Sequence, residues 1–272
     1  MVRVTYERRS LMETTHSADG TEIAFDRLGG GSPVVLVSGG STARAVHAPL
    51  AELLAADLTV LNYDRRGRGD SGDTQPYAPE REIEDIEALI DATGPAASLY
   101  GHSSGGCLAL DAAGQLGAKV SKLAVYEAPY NDDPAVAQPW AAYLEQLAQA
   151  LAENRRGDAA ALFMRYVGIP AEQIDAMRQA PFWAGMEAIA PTLAYDHAGV
   201  MGKDLSVPVK RAAQVDVPAL VVYGTASPPF MAETASTLSK ALPHAELRAL
   251  DGQTHEVDPA VLAPVLTEFL SA

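Results

Sequence analysis

The sequence is short of cysteine, of positive charge and of long apolar runs. Its single cysteine, Cys107, excludes an intrachain disulfide and a cluster of thiolate metal ligands. One free thiol suits a reducing compartment such as the cytoplasm. The 20 lysines and arginines face 35 aspartates and glutamates, a formal net charge of −15. A surface that tracks phosphates needs a basic face, so neither nucleic acid nor an anionic membrane is expected as a partner. No apolar run approaches the ~20 residues of a membrane span. Residues 1–15 contain arginines but no apolar stretch followed by small residues, so no secretory signal is read there. Cofactor motifs are missing too. There is no His-x-x-x-His pair, no Cys/His cluster and no Gly-x-Gly-x-x-Gly after a strand. Gly39-Gly40 is not followed by Gly-Lys-Ser/Thr, so it is not a phosphate loop. The expectation is a soluble cytoplasmic protein with no metal and no cofactor.

What is present fits one large domain, or one domain with an insertion: 272 residues, 48% apolar and 20% charged. Short apolar runs rich in β-branched residues occur at 34–37, 58–63, 97–100, 123–126, 219–223 and, more weakly, 247–250. Runs without polar alternation mark strands covered on both faces. Between them lie amphipathic segments, among them 80–92 with Ile83, Ile86, Leu89 and Ile90 on one face, and 261–270. Such alternation predicts an α/β fold, a mostly parallel, doubly wound sheet. Segments 11–17 and 21–27 flank Ala18-Asp19-Gly20, the signal of a hairpin and an antiparallel edge. The acidic positions Glu80, Glu82, Glu84, Asp85 and Glu87 read as the solvated face of their helix.

One stretch breaks the pattern. Residues 131–215 hold helix formers and no convincing strand, with Trp140, Leu144, Leu147 and Leu151 spaced as one helical stripe. Residues 131–215 are therefore expected to form a helical cap inserted into a core made of 1–130 and 216–272.

The chemistry is carried by Gly101-His102-Ser103-Ser104-Gly105, which follows a predicted strand and precedes a predicted apolar helix. Gly-x-Ser-x-Gly in that setting is a nucleophile elbow. The turn is so tight that a Cβ two residues before or after the serine would clash, and the serine itself must take a strained conformation. It also puts the hydroxyl at a helix N-terminus, where negative charge is favoured. A serine hydroxyl needs a base, and of the six histidines His255 is the best placed, in a loop between the last predicted strand and the last predicted helix. His102 adjoins the serine and reads as structural, because adjacent side chains diverge at an elbow.

With these features the chain resembles the α/β-hydrolase superfamily over most of its length, including Asn62-Tyr63-Asp64-Arg65-Arg66-Gly67-Arg68-Gly69-Asp70-Ser71-Gly72, which is similar to that family's structural loop after its fourth strand. The resemblance implies eight strands, an active site at their carboxyl ends and a lid. It also implies an acid after the strand at 219–223, in a Gly-x-x-Asp pattern, where this chain has Gly224-Thr225-Ala226-Ser227. A serine there carries no charge to stabilise an imidazolium. Some members, lactonases among them, place the acid after an earlier strand, which points to Glu127. Asp132 and Asp133 are runners-up, and the site could also run on Ser227 or without an acid. The oxyanion donors expected are the N–H groups of Ser104 and of Gly40, with Ser41 as the alternative to Gly40, in a loop where Ser38 replaces the family's common histidine.

The expectation is a serine hydrolase acting on an ester, thioester or lactone of a small to medium apolar molecule. Ser103 would be nucleophile, His255 base and Glu127 acid, with Trp140, Phe182, Trp183 and Tyr195 as candidate pocket residues. A lyase, cyclase, perhydrolase or C–C hydrolase built on the same residues is the first alternative, and a ligand-binding protein with weak chemistry is the second.

Overall fold

A computed structural model describes residues 12–271. Most of the segment read for a secretory signal, residues 1–11, lies outside them, as does Ala272. The apolar runs become the centre of one eight-stranded sheet. Strands β1 (Met12–His16) and β2 (Glu22–Gly29) form the predicted antiparallel hairpin. They are followed by β3 (Ser32–Val37), β4 (Leu58–Tyr63), β5 (Ala97–His102), β6 (Val120–Tyr126), β7 (Ala219–Gly224) and β8 (Ala245–Leu250). The order across the sheet is β1-β2-β4-β3-β5-β6-β7-β8. β2 meets β4 antiparallel, and every later pairing is parallel.

The strands read as continuous apolar runs because both faces are covered, and their residues alternate between two cores. Val35, Val37, Leu99, Leu123, Val125 and Val221 face a layer that contains α2 (Pro79–Asp91) and α3 (Ser104–Leu116). Their neighbours Val34, Leu36, Tyr100, Ala124, Tyr126, Leu220 and Val222 face α1 (Ala48–Leu54) and the chain's last helix, Pro259–Ser271. The period of two along each strand thus sorts one apolar run into two cores.

Between β6 and β7 the described chain forms helices α4 (Pro134–Ala152), α5 (Arg156–Tyr166), α6 (Ala171–Met177), α7 (Trp183–Ile189) and α8 (Val209–Ala212). Asp133 caps α4 by accepting from the Ala135 N–H at 2.9 Å. After α7 the segment Tyr195–Val200 is a π-helical turn, closed by a bond from the Met201 N–H to the Asp196 carbonyl. Helices α9 (Pro229–Ala241) and α10 (Pro259–Ser271) complete the chain. Among the described residues no helix is long and apolar enough to cross a membrane.

One expectation needs correction. Glu82 and Asp85 do not lie on a solvated face: both are buried and form bidentate pairs, Glu82 with Arg65 at 2.6 and 2.7 Å and Asp85 with Arg66 at 2.6 and 2.8 Å. Three apart, they share the inward face of α2 with Ile86 and Leu89, and the loop after β4 turns its arginines onto that face.

Candidate active site

The site is assembled at the carboxyl ends of β3, β5, β6, β7 and β8. Ser103 follows β5 and stands immediately before α3, with φ 58° and ψ −130°. Its N–H is tied to the Tyr126 carbonyl of β6 at 3.0 Å. The flanking glycines are sterically obligatory. A Cβ on Gly101 would come within 2.4 Å of the Gly105 carbonyl oxygen, and one on Gly105 within 2.2 Å of the Val37 carbonyl oxygen. Gly39, after β3, faces the serine so closely that its Cβ would lie 3.0 Å from the Ser103 Cβ. The loop Ser38-Gly39-Gly40 therefore runs directly beside the candidate nucleophile. Among the described residues five non-glycine positions have positive φ, and Ser41, Ser103 and Glu127 are three of them. Strain of this kind persists where the surroundings over-determine it, and it gathers at functional sites.

Glu127 directly follows β6, and its N–H bonds the Val222 carbonyl of β7 at 3.1 Å. The side chain is sealed from solvent. Its Oε1 accepts from the Gly224 N–H at 2.8 Å, and its Oε2 lies 2.9 Å from His255 Nδ1. Burial works to raise its pKa. The hydrogen bonds from His255 and Gly224, with the Ser227 hydroxyl close by, outweigh burial and hold the group below the ordinary glutamate range. A carboxylate only accepts, so Nδ1 of His255 carries a proton, and in the neutral imidazole the lone pair is on Nε2. The pairing thus selects the tautomer a general base needs. Ser227 borders Glu127 instead of replacing it; its buried hydroxyl favours the charged carboxylate without a fully aligned hydrogen bond.

The loop carrying His255 is held by its backbone. The Tyr126 hydroxyl donates to the Thr254 carbonyl at 2.6 Å, and His102 Nε2–H donates to the carbonyl of His255 itself at 3.0 Å. His102 is thus structural, as expected, but what it supports is the candidate base. Burial, then the nearby His255 and His47, keep His102 well below the usual imidazole range, so it is neutral. Gly224 gives the same loop room, since a Cβ there would meet the Gln253 carbonyl oxygen at 2.2 Å.

The remaining sequence candidates separate. Asp132 accepts from the Val207 N–H at 2.9 Å, and Asp133 is the α4 cap; both carboxylates are spent on backbone. Trp140 is fully buried, packs on Tyr143, Tyr166 and His197, and donates its indole N–H to the Gly202 carbonyl at 3.0 Å. Trp183 donates to Glu187 at 3.1 Å beneath the Arg178 guanidinium. Phe182 is about half exposed, at 52%. Tyr195 stacks on Tyr77 at 3.8 Å, and its hydroxyl bonds Asp73 at 2.8 Å and Gln75 at 2.7 Å.

Asp196 was not expected. It is fully buried and meets Arg65 at 2.6 Å, Arg68 at 2.7 Å and the Ser104 hydroxyl at 2.8 Å. Burial would raise its pKa, but the two arginines hold it well below the carboxylate range. It stands in no motif, and the sequence carries no signal that could have found it.

Residues 34–265 match the alpha/beta hydrolase family, and the chain belongs to that family. An alpha/beta hydrolase from Sphaerobacter thermophilus is similar in sequence and structure, at 51% identity and a TM-score of 0.83, over 94% of this chain and 99% of that one. The enol-lactonase of Burkholderia xenovorans shares the fold at 22% identity and a TM-score of 0.70, covering 96% of this chain and all of that one. A curated protein of Azorhizobium caulinodans described as a carbamate hydrolase is 31% identical over 104 residues, 38% of this chain and 39% of its own length. The matched stretch is thus about two fifths of that relative.

Proposed function

We propose that the protein is a cofactor-independent serine hydrolase that opens an ester, thioester or lactone through an acyl-enzyme. The observation that carries this reading is the 2.9 Å contact between His255 Nδ1 and the buried Glu127 carboxylate, at the same sheet edge as a serine with φ 58°. Ser103 Oγ attacks the carbonyl carbon as His255 Nε2 removes its proton. The imidazolium that forms is stabilised by the Glu127 charge 2.9 Å from its other nitrogen. Negative charge on the carbonyl oxygen is met by the N–H groups of Gly40 and Ser104, helped by the N-terminus of α3. His255 then returns the proton to the leaving oxygen or sulfur, and an activated water releases the acid.

The helices of 131–215 are the cap in this reading, and they set which acyl and alcohol portions can approach. The expected partner is a small molecule, and a buried single thiol suits a cytoplasmic enzyme. Esters are favoured over amides because an alkoxide is a far better leaving group than an amide anion, so ester cleavage depends less on protonation by the general acid.

Covalent labelling tests the proposal. A fluorophosphonate should add once, as seen in the intact mass, and Ser103→Ala should abolish the adduct. The same substitution should reduce p-nitrophenyl ester turnover by roughly 10⁴ or more. A wild-type protein that stays unlabelled while folded would overturn acyl transfer and favour a ligand-binding role. A series of esters of increasing chain length then ranks the acyl portions the cap admits.

A further inference from the structure

We propose that Asp196 is a positioning residue for the oxyanion loop, so that the segment between β6 and β7 helps build the site as well as cover it. The inference rests on the serine-hydrolase reading above. Gly39-Gly40 is a loop of two residues with little intrinsic conformational preference, yet a donor must point at one place before the carbonyl oxygen gains charge. A peptide unit is planar and trans, so the direction of the Gly39 C=O dictates the opposite direction of the Gly40 N–H. That carbonyl accepts from Arg68 Nη1 at 2.7 Å and from the Thr42 hydroxyl at 2.9 Å. The preceding carbonyl, of Ser38, accepts from Arg65 Nη1 at 3.1 Å.

Both arginines are fully buried, and both are held by one carboxylate. Asp196 Oδ1 accepts from Arg65 at 2.6 Å, and Oδ2 accepts from Arg68 at 2.7 Å. Oδ1 also accepts from the Ser104 hydroxyl at 2.8 Å. Asp196 therefore grips the first residue of α3, which supplies one oxyanion donor, and the arginines that orient the other. It lies against the loop: a Cβ on Gly40 would come 3.3 Å from its Oδ2. The two arginines are balanced by Glu82 and Asp196, so the cluster adds no net charge beside the developing oxyanion. The π-helical turn brings this about by inserting an extra residue per turn, which carries Asp196 inward next to Tyr195, itself fastened to Asp73 and Tyr77.

A second buried pair supplies the control. Arg66 with Asp85 is as deeply buried as Arg65 with Asp196, but its remaining donors go to Asp19, Ser17 and the Arg81 carbonyl, away from the oxyanion loop. Asp196→Asn, Ser104→Ala and Asp85→Asn are to be compared with wild type for kcat, KM, fluorophosphonate rate, the pH profile of kcat/KM and melting temperature. Asp196→Asn should lower kcat and the labelling rate by roughly 10- to 100-fold, below the loss of a whole oxyanion donor. KM should change little, and the midpoint of the pH profile should stay put because His255 is untouched. Asp85→Asn should lower the melting temperature and leave kcat unchanged. If Asp196→Asn does not fold, Ser104→Ala decides: it keeps the backbone donor and all charges, and should lose roughly three- to tenfold in kcat. Folded Asp196→Asn, or failing that Ser104→Ala, with the kcat of wild type would overturn the role of Asp196 alone. An unlabelled wild type would remove the serine mechanism and this inference with it.

Discussion

At Ser103 the geometry is held by the backbone, whereas at His255 it is held by side chains that reach in from other elements. The serine sits on a φ of 58° between glycines that have no room for a methyl group, and its loop partner Gly39 is nearly as confined. The imidazole is more than a third exposed, and its position depends on Glu127 from β6, His102 from β5 and Tyr126, also from β6. A nucleophile that must meet a carbon within a few tenths of an ångström gains from stiffness. A base that must move a proton to and fro tolerates a softer mount. Mutations in the two halves should therefore fail differently, the first through the fold and the second through the chemistry.

The sharpest break of the comparison is Gly105→Ala. Its methyl group would lie 2.2 Å from the Val37 carbonyl oxygen and 2.5 Å from that of Ser38. The strand and helix cannot both keep their places, so loss of soluble protein, or a large drop in melting temperature with no measurable turnover, is expected. A well-folded, active Gly105→Ala protein would show that the elbow is not rigid.

Glu127→Gln is the matching change in the other half. It preserves size, and its amide oxygen can still accept from Gly224. It removes the charge and offers His255 Nδ1 a group able to donate, which favours the wrong tautomer. The expected result is a folded protein with kcat lower by about 10⁴, the loss seen when the corresponding carboxylate of a serine protease is neutralised. Turnover near wild type would move the acid elsewhere, and the bordering Ser227 would be the first place to look.

The same contrast explains what the sequence could reveal. Backbone constraints are local, so Gly101, Ser103 and Gly105 stand within five residues and announce a turn. The apolar runs are equally plain, because a strand covered on both faces has no polar positions to blur it, and the fold class follows from them. Glu127 was visible because it comes directly after such a run, and the end of a parallel strand is a site-facing position. Side-chain partnerships between distant elements leave no such trace. Asp196 meets Arg65 and Arg68 across more than 120 positions, and its neighbours Tyr195 and His197 give it no motif. Glu82 and Asp85 look like surface charge until the arginines of the preceding loop are laid over them. The aromatics of 131–215 are legible only as composition. Their size suggested a pocket lining, but composition does not say which way a ring faces, and Trp140 and Tyr143 are packed against each other. Helices α1 and α9 escaped the reading because the first has only seven residues and the second places Thr234 on its buried face beside Met231, Ala235 and Leu238.

The smallest effect expected is on stability, and it separates the charge of Glu127 from the catalytic use proposed for it. Glu127 titrates below its ordinary value of 4.5 in the folded protein, because its interactions with His255, Ser227 and Gly224 outweigh burial. A carboxylate whose folded pKa is depressed releases its proton more readily in the native state, so its charge favours folding at pH values above the unfolded value. That contribution is complete above about pH 5 and fades as the pH falls through the lower folded value, where both states are protonated. Glu127→Gln cannot make it at any pH. The gap in melting temperature between wild type and Glu127→Gln should accordingly be widest near neutrality and shrink as the pH falls below about 5. A gap that stays constant across that range would mean that shape and hydrogen bonds, not charge, tie this carboxylate to the fold. The mount of His255 would then be as mechanical as that of Ser103, and the distinction between the two halves would be lost.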